Sequence, residues 1–243
     1  MGTLPLASVD AAVIESLKKS STATVCSVLL RAGFRNVLMK DVRPLGQYGK
    51  PMVGPAYTLR FIPAREDLED PAWRSSEIHR EAFEATPSGH VLVMDCRSDT
   101  SAACCGDILV SRLMVRGGAG LVSDGGIRDS GMIATMDLPV FAQAASPPVM
   151  RVAHCALEHG RPIGCGGVAV IPGDLIMGDA DGVIVIPAQV AAQVAAESIK
   201  KDAQDAFVAR RILGGAPLSG NFPPNAQTLR EFEAYLATQA KSI

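Results

Sequence analysis

Residues 106–133 read "GDILVSRLMVRGGAGLVSDGGIRDSGMI". Gly106–Arg116 predicts a helix that Gly117-Gly118 stops, with Asp107 in its first turn and Arg116 in its last. That is the order of charges the helix dipole favours. Residues 119–124, "AGLVSD", predict a buried strand that ends in the turn Asp124-Gly125-Gly126. Immediately beyond stand Arg128 and Asp129, opposite charges side by side. Neighbours at i and i+1 do not face each other along a helix. The two groups are therefore expected to serve a ligand rather than each other.

On the amino-terminal side, residues 8–19 predict a helix capped by Ser8, and residues 22–32 a second one ended by Gly33. Residues 51–62, "PMVGPAYTLRFI", are rich in strand formers, and Pro55 predicts a bend or an edge position. A charged amphipathic helix is expected over 74–85 and a buried strand over 90–95. Short strands are expected over 139–143 and 149–153. From 163 to 186 the pattern turns to β, with Asp181-Gly182 as a tight turn between two apolar runs. A long Ala-rich helix is expected over 188–212, a Pro/Gly break at "GGAPLSGNFPPN", and a last helix over 227–240 outside the main core.

The chain has 243 residues, 48% of them hydrophobic and 20% charged, an ordinary globular composition. Its formal net charge of −2 advertises no basic field for nucleic acid. No run of apolar residues is long enough for a membrane helix, and "MGTLPLASVD" lacks the basic and apolar regions of a secretory signal. The six cysteines (26, 96, 104, 105, 155 and 165) include no C-x-x-C pair, and buried, reduced thiols in a cytoplasmic protein are expected.

Several motifs resolve to structural readings. Gly164–Ala169 matches G-x-G-x-x-A, but strand-like, proline-broken sequence follows it where a dinucleotide site requires a helix. His154 and His159 have neither zinc-ligand spacing nor a third ligand. No G-x-S-x-G is present for a serine hydrolase. Lysine is more telling, because none occurs between Pro51 and Ser198. A Schiff-base enzyme needs a desolvated lysine in its pocket; without one, a divalent metal is the natural electron sink for carbon–carbon chemistry. Asp107 opens a helix whose neighbouring amides, at Gly106, Ile108 and Leu109, suit an anion. Arg128 offers a planar fork for a carboxylate or developing oxyanion. Asp129 offers the hard oxygen that Mg²⁺ or Mn²⁺ takes.

The same stretch resembles the core motif of the RraA-like / 4-hydroxy-4-methyl-2-oxoglutarate aldolase family: a Gly-Asp helix start, a Gly-rich bend, a strand ending in Asp-Gly, then Arg-Asp. "TATVCSVLLRAGF" and "VGPAYTLRF" upstream and "PGDLIMGDADGVIVIP" downstream are similar to it as well, so the likeness runs from about Thr22 to Pro187. The resemblance implies an α/β fold, a swivelling β/β/α domain over residues 1–213 with a C-terminal helical extension over 214–243. It implies assembly as a homotrimer or homohexamer, and a Mg²⁺- or Mn²⁺-dependent aldolase that cleaves 4-hydroxy-2-oxo dicarboxylic acids and decarboxylates oxaloacetate. By motif, Asp129 would ligate the metal, Asp107 would hold a water of its shell, and Arg128 would grip substrate oxygen. The Gly106, Ile108 and Leu109 amides would take a carboxylate. Some family members are instead regulators that bind a ribonuclease, and these can lack the acid after the Arg; Asp129 favours the enzyme. The chain departs from the family at Ser27, where an Asp is common. Asp202 and Asp205 are its candidates for the acid that the family supplies from a neighbouring subunit.

Overall fold

The computed structural model describes residues 9–47, 51–69 and 75–239. Helices α1 (Ala11–Leu17) and α2 (Thr22–Arg31) open it. Asp10 caps α1 by accepting from the Ala12 amide at 2.9 Å; Ser8, expected in that role, lies outside the described residues. Then follow β1 (Arg43–Pro44), β2 (Met52–Pro63), α3 (Ser75–Ala85), β3 (Val91–Asp95), β4 (Ala103–Cys105), α4 (Asp107–Val115) and β5 (Gly120–Ser123). Next are β6 (Gly126–Ile127), α5 (Ser130–Ile133), β7 (Val140–Ala142), β8 (Ala144–Ala145), β9 (His154–His159), β10 (Ile163–Cys165) and β11 (Val168–Val170). The hairpin β12 (Leu175–Asp179) and β13 (Gly182–Ile186) leads into α6 (Ala191–Leu213) and α7 (Ala226–Gln239).

The main sheet has the order β1-β7-β5-β3-β2-β12-β13, with β9 also pairing β2. Its centre, β7-β5-β3-β2, is parallel, and these strands are apolar on both faces as doubly covered strands must be. The sheet curls towards closure: Leu38 bridges Ile184 at one edge, and β1, a few residues later, pairs β7 at the other. Three apolar clusters fill the molecule. Phe61, Phe83, Leu92, Met94 and Leu113 pack α3 and α4 on one side of the sheet. Met39, Val93, Val122, Phe141 and Val185 fill its concave side. Leu17, Leu29, Met177, Ile184 and Val194 seat α1, α2 and α6. Each such side chain contributes about 1.5–3 kcal/mol by leaving water.

Two sequence expectations need correction. Pro55 does not mark an edge: β2 is central, and Pro55 stands where the strand exchanges partners. Up to Pro55 it pairs with β12, and from Ala56 onward with β3. Backbone N–H groups alternate in direction along a strand, and the Ala56 amide faces Asp174, donating at 2.8 Å. The missing N–H of Pro55 therefore falls on the β3 side just before that ladder begins, where no bond is lost. Residues 149–153 are not a strand either. Met150–Val152 form one 3-10 turn with Val149 and Val152 exposed, and the strand is His154–His159, where the two histidines drew attention as candidate ligands. His154 is buried with its ring against the Ala102 carbonyl, and His159 bonds the Tyr57 hydroxyl, so both are structural.

Beyond the break at 214–225, α7 lies along the end of α6, where the rings of Phe232 and Tyr235 meet Phe207 and Glu231 pairs with Arg211. All six cysteines are free and five are buried. No helix among the described residues is long and apolar enough to cross a membrane.

Asp124 fastens the carboxyl end of β5 to two other loops. Its buried carboxylate accepts from the amides of Cys96 (2.6 Å), Ser98 (3.1 Å) and Gly166 (3.1 Å). Asp124→Ala orphans these three donors, and urea titration should show a loss of at least about 3 kcal/mol, since each unsatisfied buried group costs about 1–3 kcal/mol.

Candidate active site

The site is assembled by a second, three-stranded sheet of order β4-β6-β8, all parallel. Cys105 pairs with Ile127, so the two strands release the chain side by side, at Gly106 on one and Arg128 on the other. The Arg128 amide donates to the Cys105 carbonyl at 3.1 Å and fixes that junction. Gly106 leaves room for the Arg128 and Asp129 side chains to lie close against the chain. A Cβ there would lie 2.6 Å from Asp129 Oδ2 and 2.8 Å from Arg128 Cγ. Asp129 itself occupies the left-handed region, φ 57° and ψ 29°, before the short helix α5. Asp tolerates that conformation better than most residues, though it is strained.

One cleft of about 410 Å³ is lined by Gly106, Asp107, Ile108 and Leu109 from the start of α4, by Arg128 and Asp129, and by Ser76, His79 and Arg80 from α3. All six residues singled out in the sequence thus border a single space. It lies beyond the carboxyl ends of the parallel strands, where open α/β sheets bind ligands. The roomier groove, about 880 Å³, lies at the opposite end, beside Pro51, Ala119 and Pro139 where β2, β5 and β7 begin. It carries Lys18, paired with Glu15 at 2.8 Å, together with Lys19 and Asp137, and no arginine. The smaller cleft has the more purposeful set of charges, and the site is placed there.

Two details differ from the sequence expectation. Arg128 and Asp129 do contact each other, Nε to Oδ2 at 3.1 Å. The i,i+1 rule holds within a helix, whereas here a left-handed turn swings the two side chains together. Both are about 40% exposed (42% and 37%), and an exposed ion pair is worth only about 0–1 kcal/mol. Either group can therefore exchange its neighbour for a ligand at little cost. The Ile108 amide is not open to an anion, because the Asp107 carboxylate accepts from it at 2.8 Å. Asp202 and Asp205 sit on α6; Asp202 accepts from the Thr24 hydroxyl at 2.6 Å, and Asp205 pairs with Lys201.

The wall formed by α3 escaped the sequence reading. His79 is buried, with Phe61 and Phe83 edge-on to its ring at 5.7 and 5.5 Å and with no hydrogen-bond partner for Nε2. Burial lowers its pKa from 6.5 to about 4, so it is neutral at physiological pH.

The donors suit a hard cation. Asp107 and Asp129 are oxygen ligands that border the cleft, and among the described residues no group of three or more His, Cys, Asp or Glu side chains is gathered to hold a metal. Two carboxylates at most leave several coordination positions to water, which is how Mg²⁺ is commonly bound.

The fold is that of an α/β protein, with a carboxylate–guanidinium pair bordering a cleft. Comparison with known proteins makes the class specific: residues 22–185 match the model of the RraA-like family, described as Aldolase/RraA. The chain belongs to that family. It is 33% identical over 168 residues to a Halalkalibacterium halodurans protein named "Putative 4-hydroxy-4-methyl-2-oxoglutarate aldolase", covering 69% of this chain and 74% of that one. Among solved structures, it is similar to Streptomyces coelicolor RraAS2, described as an unusual member of the RNase ES inhibitor RraA protein family. The TM-score is 0.74 at 29% identity, with 84% of this chain and 98% of that chain covered. An uncharacterized Pseudomonas syringae protein shares the fold at TM-score 0.76 and 21% identity, over 88% of this chain and 98% of the other.

The buried neutral imidazole has a consequence for stability. The unfolded chain takes up this proton near pH 6.5, and the folded chain only near pH 4. The contribution is full above pH 6.5 and is lost as pH falls towards 4, by about 3 kcal/mol from the size of that shift. Denaturant titrations should show wild type losing that much relative to His79→Leu across this interval, and no difference in slope above pH 7.

Proposed function

We propose that the protein is a divalent-metal-dependent lyase that cleaves a 4-hydroxy-2-oxo dicarboxylic acid to pyruvate and a second oxoacid, and that decarboxylates oxaloacetate at the same site. The observation that carries this reading is the meeting of Asp107, Arg128 and Asp129 in one cleft whose described lining holds no lysine. A Schiff base is thereby left without its amine. Family membership and the name of the Halalkalibacterium relative support it.

Asp129 would hold Mg²⁺ or Mn²⁺ at the mouth of the cleft, with Asp107 placing water nearby. When bound, the cation supplies the electron withdrawal from the 2-oxo group that a protonated imine supplies in lysine-dependent aldolases. Arg128, released from Asp129, binds the oxygen that gains charge as the C3–C4 bond breaks. Placing a fixed cation where charge develops is commonly the largest contribution to such catalysis. Asp107 orients the water that accepts the 4-hydroxyl proton, and the amides of Gly106 and Leu109 remain to meet the substrate carboxylate. Loss of CO₂ from oxaloacetate develops charge on the same oxygen, so one arrangement serves both reactions. Assembly as a trimer or a pair of trimers belongs to this reading: Ile108, 80% exposed at the cleft rim, and Met132, 59% exposed on α5, offer another copy an apolar edge.

The relation to RraAS2 favours a second reading, a regulator that binds a ribonuclease without turning over a small molecule. Pyruvate release from oxaloacetate, followed with added Mg²⁺ or Mn²⁺, separates the two. The lyase releases pyruvate, stops on chelation and resumes when metal is restored; Asp129→Ala lowers kcat/KM on the order of 10³-fold. No metal-dependent pyruvate from wild type, or undiminished release by Asp129→Ala, ends the lyase reading.

A further inference from the structure

Arg80 has no part in the scheme above. It lies on α3, the wall of the cleft facing Arg128 and Asp129, and is exposed. Arginines nearby are neutralised. Arg112 grips Glu84 through two bonds of 2.8 and 2.9 Å, Arg116 reaches the same carboxylate at 3.1 Å, and Arg60 pairs with Glu158. Glu84 is the residue at i+4 from Arg80 on its own helix, the position from which a carboxylate would ordinarily pair with it. Its two oxygens are instead committed to α4. Among the described residues Arg80 makes no ion pair, so a planar bidentate donor faces the cleft unused.

Charge balance gives that donor an assignment. Arg80 and Arg128 cancel Asp107 and Asp129, leaving the ionised lining with no net charge. His79 adds none, since burial keeps it neutral. A divalent cation then gives the cleft two positive charges. An acid with one carboxylate would leave one of these unmatched, and a dicarboxylate matches both. The two guanidiniums stand on different walls of a 410 Å³ space, within the range of small-molecule sites.

Resting on the lyase reading, we propose that Arg80 binds the distal carboxylate of the substrate and so selects dicarboxylic over monocarboxylic 2-oxoacids.

The test compares binding of 2-oxoglutarate and of pyruvate by calorimetry, with Mn²⁺ present, to wild type, Arg80→Ala and Arg80→Lys. Loss of a charge-assisted pair should weaken 2-oxoglutarate about 10- to 100-fold in Arg80→Ala, with pyruvate within about twofold and partial recovery in Arg80→Lys. In turnover the loss should fall on KM for a dicarboxylic substrate more than on kcat. Arg80 is a surface residue of a helix, so urea midpoints of the three proteins should agree. Equal weakening of both acids, or no change in either, overturns the assignment of Arg80. Wild-type protein that binds neither acid overturns the lyase reading itself, a result distinct from either of these.

Discussion

The parallel pairing of two very short strands, Cys105 opposite Ile127, is the constraint on which the site depends. A parallel ladder lets two chains leave in the same direction from adjacent positions. One exit here opens a helix with Asp107, and the other delivers Arg128 and Asp129. The small β4-β6-β8 sheet could not stand alone, since so few strand residues bury little surface. It is held by what surrounds it: Asp124 accepting from three amides in two loops, the Cys105 carbonyl receiving the Arg128 amide, and the apolar packing of α3 and α4 on the main sheet.

Energetics follow the same division between rigid support and exchangeable contacts. Supporting groups are buried, whether bonded throughout, as Asp124 is, or held between rings in the cleft wall, as His79 is. Arg128 and Asp129, by contrast, are half-exposed and joined by a weak surface pair. A ligand can therefore displace the Arg128–Asp129 contact without disturbing the structure that sets their positions. The strain at Asp129 fits this pattern, because a left-handed residue persists only where its surroundings over-determine it.

Helix and strand assignments close to the 106–133 motif agreed with the structure because the local signals there are strong: glycine pairs at the stops and short apolar runs between them. The misreadings came where a local signal meant something else in context. Pro55 suggests an edge by itself, and only the change of partner at that residue makes it tolerable in a central strand. The run 149–153 is apolar enough for a strand but exposes Val149 and Val152. β4, β6 and β8, of two or three residues each, carry too few positions for any periodicity to register.

By itself, the sequence determined the family through one connected motif, the succession of helices and buried strands around it, and the identity of the charged groups. It also determined the absence of lysine across the middle of the chain, which is a matter of composition and needs no coordinates. Only the tertiary structure decided that Arg128 touches Asp129, that Asp107 spends an oxygen on the Ile108 amide, and that α3 contributes a wall with His79 and Arg80. The physical reason is reach. Propensity and spacing report on neighbours within a few residues, whereas the pairing of Glu84 with Arg112 and Arg116, which leaves Arg80 without an ion pair among the described residues, is settled by two helices packing side by side.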